Sequence, residues 1–166
     1  MASARSFAIH AACVMALAAC ASKPPKPPEP PPDAKVVISA GANINPDPSG
    51  QPTPVEVRVY TLRGKDEFSG ADYDAMDDKD RETLGASLIG REGEPIYPGQ
   101  QLQAKLPVTP DTRFVGAMAR FRDARSTNQW RAITNVEPPP KKSKKPVQRL
   151  VTVKLDKDQI SVTVSN

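Results

Sequence analysis

The sequence contains few of the residues on which most catalytic and metal-binding sites depend. It has one histidine and two cysteines in 166 residues. All three, His10, Cys13 and Cys20, lie within the first twenty positions. Aromatic residues make up only 5% of the chain and are not interleaved with its basic segment, as they are on surfaces that bind single-stranded nucleic acid. There is also no glycine-rich phosphate loop. The composition therefore argues against nucleic-acid and nucleotide binding.

Residues 1–19 have the pattern of a secretory signal peptide. Arg5 places a positive charge near the N-terminus, and the apolar segment Phe7 to Ala19 is too short for a permanent transmembrane helix. Leu17-Ala18-Ala19-Cys20 resembles the bacterial lipobox, which implies cleavage before Cys20 and acylation of that cysteine. The alternative is an ordinary secreted protein with a cysteine at its cleavage point.

Lipidation at Cys20 has consequences for both chemistry and location. Cleavage removes His10 and Cys13, which excludes an internal disulfide, Ser-His-Asp or Cys-His catalysis and the usual zinc ligand sets. Several acyl chains anchor a protein stably, whereas one alone does so only marginally. Ala21 follows Cys20, where lipoproteins retained at the inner membrane often carry aspartate. The resemblance thus implies an outer-membrane anchor, with the domain facing the periplasm.

Residues 20–34 form a proline-rich tether. Seven prolines lie between positions 24 and 32, so no core can form there and extended polyproline II is favoured. At about 3.1 Å per residue, the segment from Cys20 to Pro32 spans roughly 40 Å. We interpret it as a spacer; the alternative is a ligand for a proline-binding module.

Residues 35–166 are expected to form an all-β domain, an antiparallel β-sandwich of about eight short strands with one or two short helices. Val57, Val59, Val151 and Val153 alternate with polar neighbours and should be buried, with Arg58 facing outward. The expected strands are Val36–Ile38, Val55–Tyr60, Leu84–Ile89, Leu102–Leu106, Phe114–Ala119, Gln129–Val136, Val147–Leu155 and Ile160–Val164. The strand Phe114–Ala119 is apolar on both faces, which suits a central strand covered on both sides.

A short helix is expected from the capping-box pattern Ser69 to Asp72 as far as about Met76, followed by a charged connection from Asp77 to Glu82. The acidic residues of this region lack the glycine of a calcium-binding EF-hand, so a solvated face is the simpler interpretation. The alternative is a pair of carboxylates acting as acid and base on a glycan.

Two proline-rich loops interrupt the domain. Gly41 to Pro54 contains four prolines, and a loop this long is either functional or disordered. The second, 137–146, carries four lysines, which either contact anionic lipid or keep a solvated loop open by mutual repulsion.

An ordered set of motifs resembles the TssJ family of type VI secretion lipoproteins. The motifs are Asn43-Ile44-Asn45, Pro52 to Leu62, Phe68 to Tyr73, Leu84 to Leu88, Pro98-Gly99, Phe121-Arg122-Asp123 and Trp130-Arg131. The resemblance implies a transthyretin-like sandwich with no catalytic activity and no cofactor beyond the lipid on Cys20. It also implies binding to the periplasmic C-terminal region of the inner-membrane subunit TssM, through the loop between the first two strands. The lysine-rich loop 137–146 has no counterpart in the family pattern.

In this sequence the partner-binding loop would be Gly41 to Pro54. Ile44 is expected to supply an apolar contact, with Asn43, Asn45 and Asp47 hydrogen-bonding around it and prolines such as Pro46 restricting the backbone. Two functions of other classes stay open at this point. One is a periplasmic lipoprotein enzyme that acts on glycans through the acidic cluster, and the other is a carrier with a small-ligand cavity.

Overall fold

The computed structural model describes residues 33–136 and 149–165. Within these ranges the chain forms eight strands, two helices and three short 3-10 turns. In chain order the elements are β1 (Asp33–Ala40), β2 (Val55–Leu62), α1 (Asp66–Gly70), α2 (Tyr73–Leu84), a 3-10 turn (Gly85–Ser87), β3 (Leu88–Ile96), β4 (Gln101–Pro107), β5 (Phe114–Ala119), two 3-10 turns (Ala124–Ser126 and Asn128–Trp130), β6 (Arg131–Asn135), β7 (Leu150–Asp156) and β8 (Gln159–Ser165).

The strands form two four-stranded sheets, in the orders β4-β1-β7-β8 and β3-β2-β5-β6. This confirms the all-β sandwich expected from the sequence. Most neighbouring strands are antiparallel, but β1 and β7 run parallel, from Lys35 opposite Leu150 to Ala40 opposite Leu155. The β4-β1-β7-β8 sheet is therefore mixed, where the sequence led us to expect a purely antiparallel arrangement.

The core lies between the two sheets and is built from alternating apolar residues. Val57, Val59, Val151 and Val153 are all buried, as their alternation predicts. Burying each such side chain stabilises the fold by about 1.5–3 kcal/mol. The predicted burial of these four valines is therefore confirmed, although Arg58, expected to face outward between two of them, is buried as well.

The two helices cover the outer face of the β3-β2-β5-β6 sheet. Phe68 of α1 packs against Gly116 of β5, where an added Cβ would lie 3.0 Å from the Phe68 ring, and its ring centroid is 5.6 Å from that of Tyr60 in β2. Gly116 therefore leaves the space that the aromatic side chain fills. This layer explains why β5 is apolar on both faces.

The helical region differs from the sequence prediction. Asp72, not Ser69, caps the longer helix, because its side chain accepts a hydrogen bond from Ala75 N at 2.7 Å. α2 then continues through the segment predicted to be a charged connection and ends at Leu84. The strand expected to start at Leu84 begins instead at Leu88, because a 3-10 turn intervenes.

Candidate functional site

The loop between β1 and β2, residues 41–54, lies at the end of the sandwich opposite to the start of β1. The strand enters at Asp33 and reaches the loop after eight residues, or roughly 25 Å at about 3.3 Å per residue. Three other connections contact the loop at this end, through Gly99 N to Gly41 O (3.1 Å), Asn45 N to Lys157 O (2.6 Å) and Arg122 N to Asn45 Oδ1 (2.7 Å). We call the loop and these connections (residues 97–100, 120–123 and 157–158) the distal end.

The side chain of Asn45 holds the loop in its shape. Its amide nitrogen donates to Thr53 Oγ1 and to Pro54 O, both at 2.9 Å, while its oxygen accepts from Arg122 N. The backbone of Asn45 has a φ of 47°, in the left-handed region that asparagine tolerates better than most residues. The polar groups of the Asn45 side chain are therefore used within the chain in this conformation, while its assignment to the partner-binding loop stays a prediction.

Asp47 organises the tip of the loop. Its Oδ1 accepts hydrogen bonds from Ser49 Oγ (2.6 Å), Ser49 N (2.8 Å) and Gln51 N (2.9 Å). The bond from the Ser49 side chain and those from the main chain lower the pKa of the Asp47 carboxyl below its usual value, so it stays ionised. The main chain closes the same turn through Gly50, whose φ is 83°. The tip is thus a structured turn and not a disordered connector.

Ile44 belongs to the core of the sandwich. It is 0% exposed, and its carbonyl accepts a hydrogen bond from Thr53 N at 3.2 Å. In this conformation the side chain packs in the core and connects the loop to it, while the assignment of Ile44 to the partner-binding loop stays a prediction. Asn43 is exposed and Pro46 half-buried, as is Asp47. The other fully exposed positions of the loop are Ala42, Pro48, Ser49, Gly50, Gln51, Pro52 and Pro54.

Two members of the acidic cluster, Asp77 and Asp80, are built into the packing of α2 on its sheet, whereas its other carboxylates are exposed as expected (Asp72, Asp74, Asp78 and Glu82). Asp80 Oδ2 accepts hydrogen bonds from Tyr60 Oη (2.9 Å) and Arg91 Nε (2.6 Å), and it lies 3.5 Å from Arg58 Nη1. Burial, followed by the charge of Asp80, raises the pKa of Tyr60 well above its usual value. Arg58 also donates to the main-chain oxygen of Asp77 at 2.8 Å. Sequence reasoning missed this network, because it placed Arg58 and the carboxylates on a solvated face.

A second group of ion pairs extends the contact between α2 and its sheet toward the distal end. Arg120 pairs with Glu56 (2.8 Å) and Asp77 (2.5 Å), and Arg58 pairs with Glu56 at 2.7 Å. Burial acts to raise the pKa of Glu56, but the hydrogen bonds from Arg120 and Arg58 outweigh it and lower that pKa. Glu56, Asp77 and Asp80 are thus held by arginines, as in a structural ion-pair network.

A groove of about 620 Å³ lies between the edge strands β3 and β4. Glu92, Glu94 and Lys105 are among the residues that line it. It is therefore partly lined by charge, unlike the apolar pocket that a small-ligand carrier requires. Within residues 33–136 and 149–165 there is no group of three or more histidine, cysteine, aspartate or glutamate side chains arranged to hold a metal ion.

Four of the sequence predictions lie wholly or mostly outside the described residues: the signal peptide 1–19, the lipidation site Cys20, residues 20–32 of the proline-rich tether and the lysine-rich loop 137–146. The last two residues predicted for the tether, Asp33 and Ala34, begin β1. In the part of the chain that the structure describes, no helix combines the length and apolar character that crossing a membrane requires.

Three solved structures with the same fold carry descriptions that refer to the type VI secretion system. The T6SS lipoprotein TssJ1 from Pseudomonas aeruginosa matches with a TM-score of 0.69 and 26% identity, over 82% of this chain and 98% of that chain. Serratia marcescens Lip, a membrane-bound component of the type VI secretion system, matches in fold with a TM-score of 0.63 and 22% identity, over 82% and 97%. A structure described as T6SS protein TssM C-terminal domain (869–1107) from EAEC matches with a TM-score of 0.61 and 25% identity, over 78% and 99%.

The fold and its relatives define the class of the protein, a β-sandwich lipoprotein of bacterial secretion. The family model described as "Type VI secretion lipoprotein, VasD, EvfM, TssJ, VC_A0113" matches residues 32–163, and the chain belongs to this family. The family is a structural, non-enzymatic component of the secretion system. Among curated proteins, no sequence matches.

Proposed function

We propose that the chain anchors the type VI secretion membrane complex to the outer membrane, through lipid on Cys20, and binds the periplasmic C-terminal region of TssM with its distal end. The observation that carries the proposal is that the chain enters the domain at one end and forms the loop 41–54 at the other. The segment that follows the tether enters at Asp33, whereas the ordered loop 41–54 projects from the opposite end. A protein held by lipid at the end where the chain enters thus presents the loop 41–54 toward the periplasm.

The partner is inferred from two sources. The sequence resembles the TssJ family in the loop 41–54 itself, and a structural neighbour is described as the TssM C-terminal domain. The distal end is suited to binding because its shape is set before a partner arrives. Asn45 and Asp47 bind groups of the loop and of residue 122, so little conformational entropy is lost when the loop is covered.

Glycan hydrolysis and small-ligand transport receive no support from the described residues. Asp77 and Asp80, two carboxylates of the acidic cluster, hold α2 onto its sheet through Arg58, Arg91 and Arg120, whereas Asp74 is exposed and pairs with Arg125. Substitution of Asp77 is therefore expected to weaken the packing of α2 on its sheet. A loss of function in such a variant would not show whether the role of Asp77 is enzymatic or structural.

The proposed contact is tested with substitutions that spare the interior of the loop. Replacing the segment from Asn43 to Asp47 would remove Ile44 from the core, so the test changes exposed side chains only, with Asn43, Pro48 and Gln51 each replaced by alanine. We expect this triple variant to keep the wild-type melting temperature and to bind the purified TssM C-terminal region at least about tenfold more weakly.

The matched control is Leu150→Ala, which changes an exposed residue at the opposite end of the sandwich. Its dissociation constant should equal that of the wild type. Binding of the triple variant with unchanged affinity would exclude these loop side chains from the interface, and absence of wild-type binding would refute the proposed function itself.

A further inference from the structure

The exposed part of the loop 41–54 has no large apolar side chain to serve as the centre of an interface. Ile44 is buried in the core, and the polar groups of Asn45 and Asp47 are engaged within the chain. Interfaces concentrate their binding energy in a few residues, among which tyrosine, tryptophan and arginine are enriched. If the distal end binds a protein, its anchor must therefore come from a neighbouring connection.

The turn between β3 and β4 supplies such a residue. Tyr97 is 57% exposed, and among the described residues only Tyr97 and Leu150 are large hydrophobic side chains that are exposed. Leu150 lies at the other end of the sandwich, at the start of β7. Tyr97 directly follows Ile96, which is fully buried and pairs with Val55 where β2 begins. The aromatic ring is therefore presented beside the end of the loop.

The turn that carries Tyr97 is fixed to the loop by main-chain hydrogen bonds. Gly99 N donates to Gly41 O (3.1 Å), and Ala40 N donates to Gln100 O (2.9 Å). The turn is closed within itself, because Tyr97 N donates to the Gln100 side-chain oxygen (2.9 Å) and Gln100 N to Tyr97 O (3.0 Å). The φ of Gly99 is 73°, which favours glycine at that position. The exposed ring is thus carried by a closed turn that is hydrogen-bonded to the start of the loop.

We infer that Tyr97 is the aromatic anchor of the distal end, and that it inserts into an apolar pocket of the TssM C-terminal region with its hydroxyl at the polar rim. The inference rests on the proposed function and adds a residue outside the loop 41–54. A tyrosine suits this task because its rigid ring buries a large area and its hydroxyl retains a hydrogen-bonding partner when covered. The loop then provides the surrounding rim through exposed residues such as Asn43 and Gln51.

The test measures binding of the full chain, purified in detergent, to the purified TssM C-terminal region by biolayer interferometry. Tyr97→Ala is expected to raise the dissociation constant at least tenfold, mainly through faster dissociation. Tyr97→Phe retains the ring and is expected to raise it less than Tyr97→Ala does. Leu150→Ala is the matched control, since it removes the other exposed large side chain, and it should stay within twofold of the wild type.

Melting temperatures equal to that of the wild type would show that the tyrosine variants are folded. Tyr97→Ala binding within twofold of the wild type would overturn the inference, and a weakened loop triple variant in the same series would show that the proposed function nevertheless stands. An equal loss in Tyr97→Ala and Leu150→Ala would also overturn it. If the wild-type chain does not bind the TssM region, the inference and the proposed function both fail.

Discussion

Asn45 offers the sharpest test of how the loop 41–54 is held. Substitution to alanine removes three side-chain hydrogen bonds, to Thr53 Oγ1, Pro54 O and Arg122 N. At about 1 kcal/mol each, these bonds contribute about 3 kcal/mol. Alanine at a φ of 47° costs a further 1 kcal/mol or so, because left-handed backbone is unfavourable for a residue with a Cβ. We therefore expect Asn45→Ala to lower the free energy of unfolding by about 4 kcal/mol.

Two companion variants separate these contributions. Asn45→Gly loses the same hydrogen bonds but tolerates the positive φ, so it should be about 1 kcal/mol more stable than Asn45→Ala. Asn43→Ala changes an exposed asparagine of the same loop and should stay within about 0.5 kcal/mol of the wild type. All four proteins would be compared by urea denaturation, with the slope of the transition checked for two-state behaviour.

The reasoning fails if Asn45→Ala unfolds within about 0.5 kcal/mol of the wild type, since the side chain would then not connect the loop to residue 122. Equal stabilities of the alanine and glycine variants would show instead that the positive φ carries no cost. A loss as large in Asn43→Ala would mean that the whole loop, and not the Asn45 side chain, is sensitive to substitution.

Three further predictions concern the anchor, the core and the ion pairs. Cys20→Ala should release a folded protein from the membrane fraction, and retention after a salt wash would refute lipid anchoring. Val153→Asp should destabilise the domain by several kcal/mol, because it buries an unpaired charge in β7; cooperative unfolding at the wild-type temperature would contradict the core described here. The lowered pKa of Glu56 contributes stability that is present above pH about 4.5 and is lost as the pH falls through the folded-state pKa. Glu56→Gln removes this contribution, so the free energy of unfolding of the variant should decrease less on acidification than that of the wild type. An unchanged pH profile of unfolding would refute this.

The sequence predicted the sandwich because its strands carry a periodic signal. Val57, Val59, Val151 and Val153 alternate with polar neighbours, and the structure buries all four between the sheets. The helical layer was harder to predict, since α2 is mostly polar and its packing depends, besides the buried Met76 and Leu84, on Asp80 meeting Tyr60 and two strand arginines. Such long-range pairs leave no local pattern, so the carboxylates were interpreted as solvated.

Sequence patterns were also insufficient to predict the side-chain positions in the loop 41–54. Its position between β1 and β2 was predicted correctly, because prolines and Gly50 break the strand pattern on either side. The direction of each side chain was not, since no periodicity operates within an irregular loop. Ile44 was expected outside and is buried, and Asn45 was expected to bind a partner and binds Arg122 N. Tyr97 was missed because Pro98-Gly99 indicated a turn without showing that the turn contacts the loop.

The placement of β1 between β4 and β7 determines how the domain carries mechanical load. A pull between a lipid anchor before Asp33 and a partner on the loop 41–54 is directed along β1 itself. Hydrogen bonds run across this direction on both flanks, from Asp33 to Ser39 with β4 and from Lys35 to Ala40 with β7. Such a pull shears the strand, so the bonds on both flanks share the force and must break together instead of one after another. The domain is thus arranged to resist a pull between the proposed lipid anchor and the proposed partner contact.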